Sequence, residues 1–418
     1  MSTRGDHVAI PTAPGFDSSL PFLADGYRFL SRTADALGTD AFRTRIALRP
    51  IVVVRGVEAA RFFYEGGRFD RARALPPTVV HLLQDRGSVQ TLEGESHERR
   101  KTGFVDLLVG SSEERLARLA FEEFSERLRG LRGSGPIAMH DELPRILTAV
   151  ALRWAGVPEH RRDDEQRADE LWQMVRQAGS FGAGTWRALL LRRRSERWAR
   201  ELIADVRDGR EAAVEGTPLA AVARWTGDDD QPLPAAVAAV ELLNLLRPIV
   251  AVAHFVEFAL LALHLEPAYK AAFHDGEFTD IDGFVHEVRR RTPFFPAVAG
   301  RATGDLDWHG DGIDRDSWVM LDIYGTNHDP SAWPRPQSFD PKRYERGEGD
   351  ARNIVAQGAG DPVADHRCPG EPATEALIGT AIRAFSHMRW SAVGPQPPKV
   401  RYRSLPAEVV GGLQVRVF

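Results

Sequence analysis

The single cysteine, Cys368, sits in His366-Arg367-Cys368-Pro369-Gly370-Glu371, after a glycine-containing loop that begins at Gln357. Backbone N–H groups at such a loop-to-helix start favour a thiolate. Gly370 lets a flat ligand approach closely, and His366 and Arg367 can meet anionic groups. This is what a heme iron needs of an axial sulfur. An inert buried thiol is the other reading. One thiol excludes an internal disulfide and any multi-cysteine zinc or iron–sulfur site.

A second pattern is Arg247-Pro248, in the middle of the apolar run Leu242-Leu-Asn-Leu-Leu-Arg-Pro-Ile-Val-Ala251. An unpaired guanidinium buried there would cost several kcal/mol, so something anionic belongs beside it. A structural ion pair with a distant carboxylate and a bound anionic ligand both satisfy that need. Pro248 removes an N–H, frees a carbonyl one turn back and bends the helix. A third pattern is Glu287-Val-Arg-Arg290, followed by Arg343 and then by Cys368 25 residues later. Alone, a Glu-x-x-Arg pair says little; Glu126 and Arg129 make one on a solvated helix face.

Helices must carry most of these groups. From about Val57 to Ala220 the apolar residues recur at helical spacing, as in Leu116, Leu119, Ala120, Phe124 and Leu128. Leu233 to Leu265 is apolar on nearly all sides, which fits a buried helix. Its Glu241, Asn244, Arg247, Pro248, His254 and Glu257 interrupt any uncharged run of ~20 residues and argue against a membrane span. Thr44–Arg55 reads as a short hairpin, and Trp318–Tyr324 and the C-terminal tail as strands. A helix is expected near Pro372–Phe385. The expected fold is mainly α with a smaller β-rich part, one domain over 1–418 with an irregular segment at 1–20.

The 418 residues carry 54 Lys+Arg against 59 Asp+Glu, a net charge of −5, so no basic balance suggests nucleic acid. Lysine occurs only at 101, 270, 342 and 399, so nearly every cation is arginine, as a GC-rich genome would produce. No apolar stretch follows the basic residues near Met1, and a cytoplasmic protein is the default expectation.

The order Glu287–Arg290, Arg343, Cys368 resembles the cytochrome P-450 superfamily, whose Glu–Arg–Arg triad supports the heme–cysteine loop. Within it the chain resembles the bacterial fatty-acid peroxygenases, which use hydrogen peroxide to hydroxylate or decarboxylate fatty acids. The resemblance runs through Phe16-Asp-Ser-Ser-Leu20, Gly26-Tyr-Arg-Phe29, Val89 to His97 with Arg100-Lys101, and Trp154-Ala-Gly-Val-Pro158. It continues through Leu246-Arg-Pro-Ile-Val250, the triad, Tyr324 to Pro330 and the cysteine segment. The Arg–Pro pair is the most specific part. Conventional members place an acid–alcohol pair in this helix to deliver protons to dioxygen, and Arg247–Ala253 has neither group.

The resemblance implies heme b with Cys368 as axial ligand, and His97, Lys101 and His366 around the cofactor. It implies that Arg247 binds the substrate carboxylate, that Pro248 shapes the bend, and that the carboxylate serves as acid–base. Gln90 would face the pocket; being non-basic, it favours hydroxylation at the α or β carbon over decarboxylation to an alkene. Phe294 and Phe295 would wall the pocket, with core packing an equal alternative. No redox partner is implied. The rivals are an aromatic or natural-product carboxylic acid as substrate, a ferredoxin-fed monooxygenase, and a heme-thiolate binding protein without turnover. The cysteine loop departs from the superfamily, with Asp361 and Ala364 where a phenylalanine and a glycine are usual. His254 and Glu257 are unusually polar for a helix that lines an alkyl pocket, and face either another segment or an unusual substrate.

Overall fold

The computed structural model describes residues 9–71, 74, 81–82, 87–179 and 182–418. The helices that matter for the site are α1 (Gly94–Leu108), α2 (Ser111–Gly130), α3 (Met139–Ala155), α4 (Ala183–Arg207), α5 (Ala235–Leu265), α6 (Ile281–Arg291) and α7 (Glu371–Ser386). Helix α5 packs against α3, α4 and α7, while α2 packs across α3 and α7. Their apolar faces form one core that includes Phe124, Trp154, Leu246, Phe255 and Phe385.

By length and composition α5 could cross a membrane, but 72% of its most apolar window is buried inside the fold. Leu242, Leu243, Leu246 and Val250 are fully covered by neighbouring helices. The helix therefore spends its apolar surface on protein.

A five-stranded sheet lies beside the helices, built from β1 (Ala41–Ile46), β2 (Arg49–Val54), β3 (Phe69–Asp70), β4 (Ala297–Ala302) and β5 (Trp318–Asp322). The strand order is β1-β2-β5-β4-β3. Only β2 and β5 run parallel. The run Ile51-Val-Val-Val54 is buried on both faces, which is why it lacks alternation. Val52 and Val54 enter one apolar cluster, Ile51 and Val53 another. The predicted hairpin is β1 and β2, joined through Ala47 and Leu48 at φ 52° and 62°. The segment expected to be irregular over 1–20 ends sooner: a helix spans Ser19–Asp25, and residues 1–8 lie outside the described part. Its entry is tied down by Ser18, whose backbone N–H donates to Arg45 and whose hydroxyl pairs with Thr44.

Candidate active site

The cysteine loop meets the first turn of α7, and Cys368 donates its backbone N–H to the Gln357 carbonyl at 2.9 Å. Burial pushes the thiol above its ordinary value, against the Gly370 N–H, the Lys101 charge and the Gln357 side chain, which favour the thiolate. A bound metal cation is what would deprotonate such a sulfur outright. Where the superfamily uses a phenylalanine and a glycine, Asp361 accepts the N–H groups of Val363 and Ala364 at 2.8 Å each. Asp365 in turn accepts the Asp361 N–H at 2.8 Å. Side-chain capping thus shapes the Asp361–Asp365 turn.

Gln357 was not anticipated from sequence. It accepts from Arg289 at 3.1 Å and donates to Thr374 at 2.9 Å, and Arg289 also pairs with Glu371 and Glu375. This fixes the amide that faces the sulfur.

His97 and Lys101 lie four residues apart on one face of α1, and both are buried. The His97 ring centroid is 4.5 Å from that of His366, and Lys101 donates to the Asp365 carbonyl at 3.3 Å. Lys101 is lowered to about 8 and His97 to about 3, in both by burial first, and Arg71, a cation sequence reasoning missed, contributes to each shift. Among the described residues, the buried His97 Nε2 has no hydrogen-bond partner. Four basic groups beside the cysteine loop with an orphaned imidazole nitrogen fit the propionates of a heme. Cys368, His97, Lys101 and His366 are therefore the residues that could hold that group.

Arg247 lies inside α5, 5% exposed. Its guanidinium donates to Asn244 Oδ1 at 3.0 Å and to the Leu82 carbonyl at 3.4 Å. Arg192 of α4 donates to the same carbonyl at 2.9 Å. Burial and then the Arg192 charge lower Arg247 to about 9, so it stays cationic at neutral pH. Gln90 accepts from Asn244 at 3.2 Å and so comes within one residue of the guanidinium. Pro248 is exposed on an otherwise covered stretch of helix. Glu241 enters the sequence reading only as an interruption of an apolar run. The three-residue steps from Glu241 to Asn244 and from Asn244 to Arg247 were the available signal.

Glu287 and Arg290 of α6 form a bidentate pair at 2.7 and 2.9 Å, and Arg343 reaches Glu287 at 3.3 Å. All three are fully buried. Tyr344 also donates to Glu287, at 3.2 Å. Glu287→Leu would leave two buried guanidiniums without their carboxylate. It is expected to lower stability by about 3–5 kcal/mol, read by chemical denaturation.

Phe294 packs half-buried among His254, Phe255 and Phe295. Phe295 is 37% exposed, so core packing is not its role. His254 and Glu257 turn to other segments. His254 Nε2 faces the Pro293 carbonyl at 3.4 Å, while Glu257 accepts the Leu413 N–H at 2.8 Å and meets His140 at 3.3 Å.

Burial lowers His254 and His328 from 6.5 to about 3 each. Their neutral forms stabilise the fold above pH 6.5. As pH falls from 6.5 toward 3 the unfolded chain gains protons that the folded chain refuses. Stability should drop by roughly 1.4 kcal/mol per pH unit for each histidine. Denaturation between pH 7 and 5 measures the slope, and His254→Gln should make it shallower; an unchanged slope would refute the assignment.

The family model for cytochrome P-450 matches residues 281–373, the stretch that contains the triad and Cys368. Cytochrome P-450 81F4 of Arabidopsis thaliana is 30% identical over 106 residues, 24% of this chain and 20% of that one. The match thus spans about a fifth of this curated relative's length. Solved structures match nearly end to end. Cytochrome P-450SP alpha (CYP152B1), in complex with (R)-ibuprophen, is 37% identical with a TM-score of 0.92, covering 97% of this chain and 99% of that one. The chain belongs to the cytochrome P-450 family. A variant of cytochrome P-450 OleT in complex with arachidonic acid is 30% identical, with a TM-score of 0.93 over 98% of this chain and 99% of that one. As a cytochrome P-450 the protein takes heme b and is an oxidoreductase, and its likeness is to the fatty-acid peroxygenase branch that the sequence resembles.

Proposed function

We propose that this cytochrome P-450 is a peroxygenase that hydroxylates fatty acids at the α or β carbon with hydrogen peroxide. The observation that carries the reading is Arg247, a cationic guanidinium set inside an apolar helix beside a proline. Cys368 would ligate the heme iron, and His97, Lys101 and His366 would hold its propionates. When bound there, heme supplies activation of the peroxide and oxidation of a C–H bond.

The chain's own residues would do the rest. Arg247 would grip the substrate carboxylate through two parallel N–H···O bonds. Asn244 Oδ1 and the Leu82 carbonyl both accept from that guanidinium and fix where it sits inside the helix. The carboxylate would stand where other family members keep an acid side chain, and would pass a proton between the peroxide oxygens. Fixing the acid end limits attack to the carbons beside it. Gln90 holds its oxygen toward Asn244 and has no proton of useful acidity to give, which favours hydroxylation over decarboxylation. No redox partner is needed, and a cytoplasmic location belongs to the same proposal.

Both small molecules bound by the similar structures are carboxylic acids, one of them aromatic, so an aryl carboxylic acid is the second reading. The test is product analysis after mixing heme-loaded protein, myristic and aryl acids, and hydrogen peroxide without reductase. Hydroxylated fatty acid as the main product supports the proposal. Alkene as the main product replaces it with decarboxylation, and turnover only with ferredoxin and reductase sinks it.

A further inference from the structure

We propose that Glu241, held by Arg100, is a positioning residue that sets the direction of Arg247 through the amide of Asn244. The inference rests on Arg247 being the carboxylate anchor. Glu241, Asn244 and Arg247 recur every three residues on α5 and so share one face. Glu241 is fully buried. It accepts from Arg100 at 2.6 Å, from the Val89 N–H at 3.0 Å and from Asn244 Nδ2 at 3.0 Å. A buried carboxylate with three donors is well satisfied, although burial still raises its pKa.

The consequence falls on Asn244. A carboxamide can present either its oxygen or its NH2 to a neighbour, and its contacts decide which. Glu241 and Gln90 both offer oxygens to Nδ2, which turns Oδ1 toward Arg247. Were the amide reversed, its NH2 would face a guanidinium that can only donate, and the guanidinium would turn away. Pro248 adds to this, because the backbone carbonyl it leaves without an N–H is that of Asn244, four residues back. Arg100 lies between His97 and Lys101 in the sequence of α1, so one helix carries both the cofactor residues and the partner of Glu241.

In Glu241→Gln, Arg100 and the Val89 N–H would claim the new amide oxygen. Its NH2 would then face Asn244 Nδ2, donor against donor, and Asn244 would flip. Asn244→Leu removes the link altogether. Calorimetric titration of the heme-loaded protein with myristate and with 1-tetradecanol separates anchoring of the acid from packing of the chain. The wild type should prefer the acid, and both variants should cut that preference by ~10-fold or more, the worth of one charge-assisted bond. Affinity for the alcohol should stay within about twofold. Arg100→Lys, which keeps the charge on Glu241, should retain most of the preference, whereas Arg100→Met should not.

Preference retained in both Glu241→Gln and Asn244→Leu overturns the inference while leaving the anchor intact. Equal loss of acid and alcohol binding also overturns it, since that marks general damage. A wild type without any preference for the acid sinks the anchor reading and this inference together.

Discussion

Replacing Cys368 by serine is expected to abolish the thiolate signature of the reduced carbon-monoxide complex and to lower peroxide-driven turnover by roughly 10³-fold or more, about 4 kcal/mol. The electronic push of a thiolate comes from sulfur and is not reproduced by a hydroxyl. The substitution should leave the loop in place. Its shape depends on the Cys368 N–H to Gln357 bond and on the capping by Asp361 and Asp365, none of which uses the sulfur. Circular dichroism and melting should therefore be close to wild type. A serine variant with the full carbon-monoxide signature would show that the iron ligand lies elsewhere.

Replacing Arg247 by alanine is expected to lower kcat/KM for fatty acids by roughly 10³-fold, with hydrogen peroxide saturating. The effect has two parts, loss of the bidentate grip and loss of the carboxylate from its proton-transfer position. One-electron oxidation of a neutral dye by peroxide needs neither part and should persist. Stability should move the other way. Burial and the neighbouring Arg192 both disfavour the Arg247 charge, so its removal relieves a cost that the fold carries for function. The melting temperature should hold or rise. Full fatty-acid activity in the variant would end the carboxylate-relay reading.

Groups that act through covalent spacing were easy to read from the chain. Cys368 stands alone in composition, Glu287 and Arg290 are one helical turn apart, and Arg247-Pro248 interrupts an apolar run. Each is a local departure from what packing alone would choose. The long helix was equally clear, because an all-round apolar pattern has few other uses in a chain of this size.

Contacts made across the fold were not readable in this way. Glu257 looked out of place until Leu413 and His140, far away in sequence, supplied its partners. Gln357 gave no signal, since one glutamine in a polar loop looks like any other. Arg71 was hidden among some fifty arginines, and only folding brings its charge to His97 and Lys101. The exposure of Phe295 likewise depends on how the turn after α6 leaves the core, which its apolar side chain does not reveal.

The stretch from Asn327 to Gly358 contains only two brief 3₁₀ turns, yet it is gathered around Glu287. Arg290 collects the carbonyls of Asn327 and Pro336, and Arg343 that of Pro334. Two guanidiniums thus replace the backbone ladder that irregular chain lacks, and one carboxylate holds both. Hydrogen exchange in this segment should accordingly be slow, with amides opening only alongside α6 instead of fraying as separate surface turns. Apparent coil would then behave as one of the durable units of the molecule, and proteases should find little to cut there.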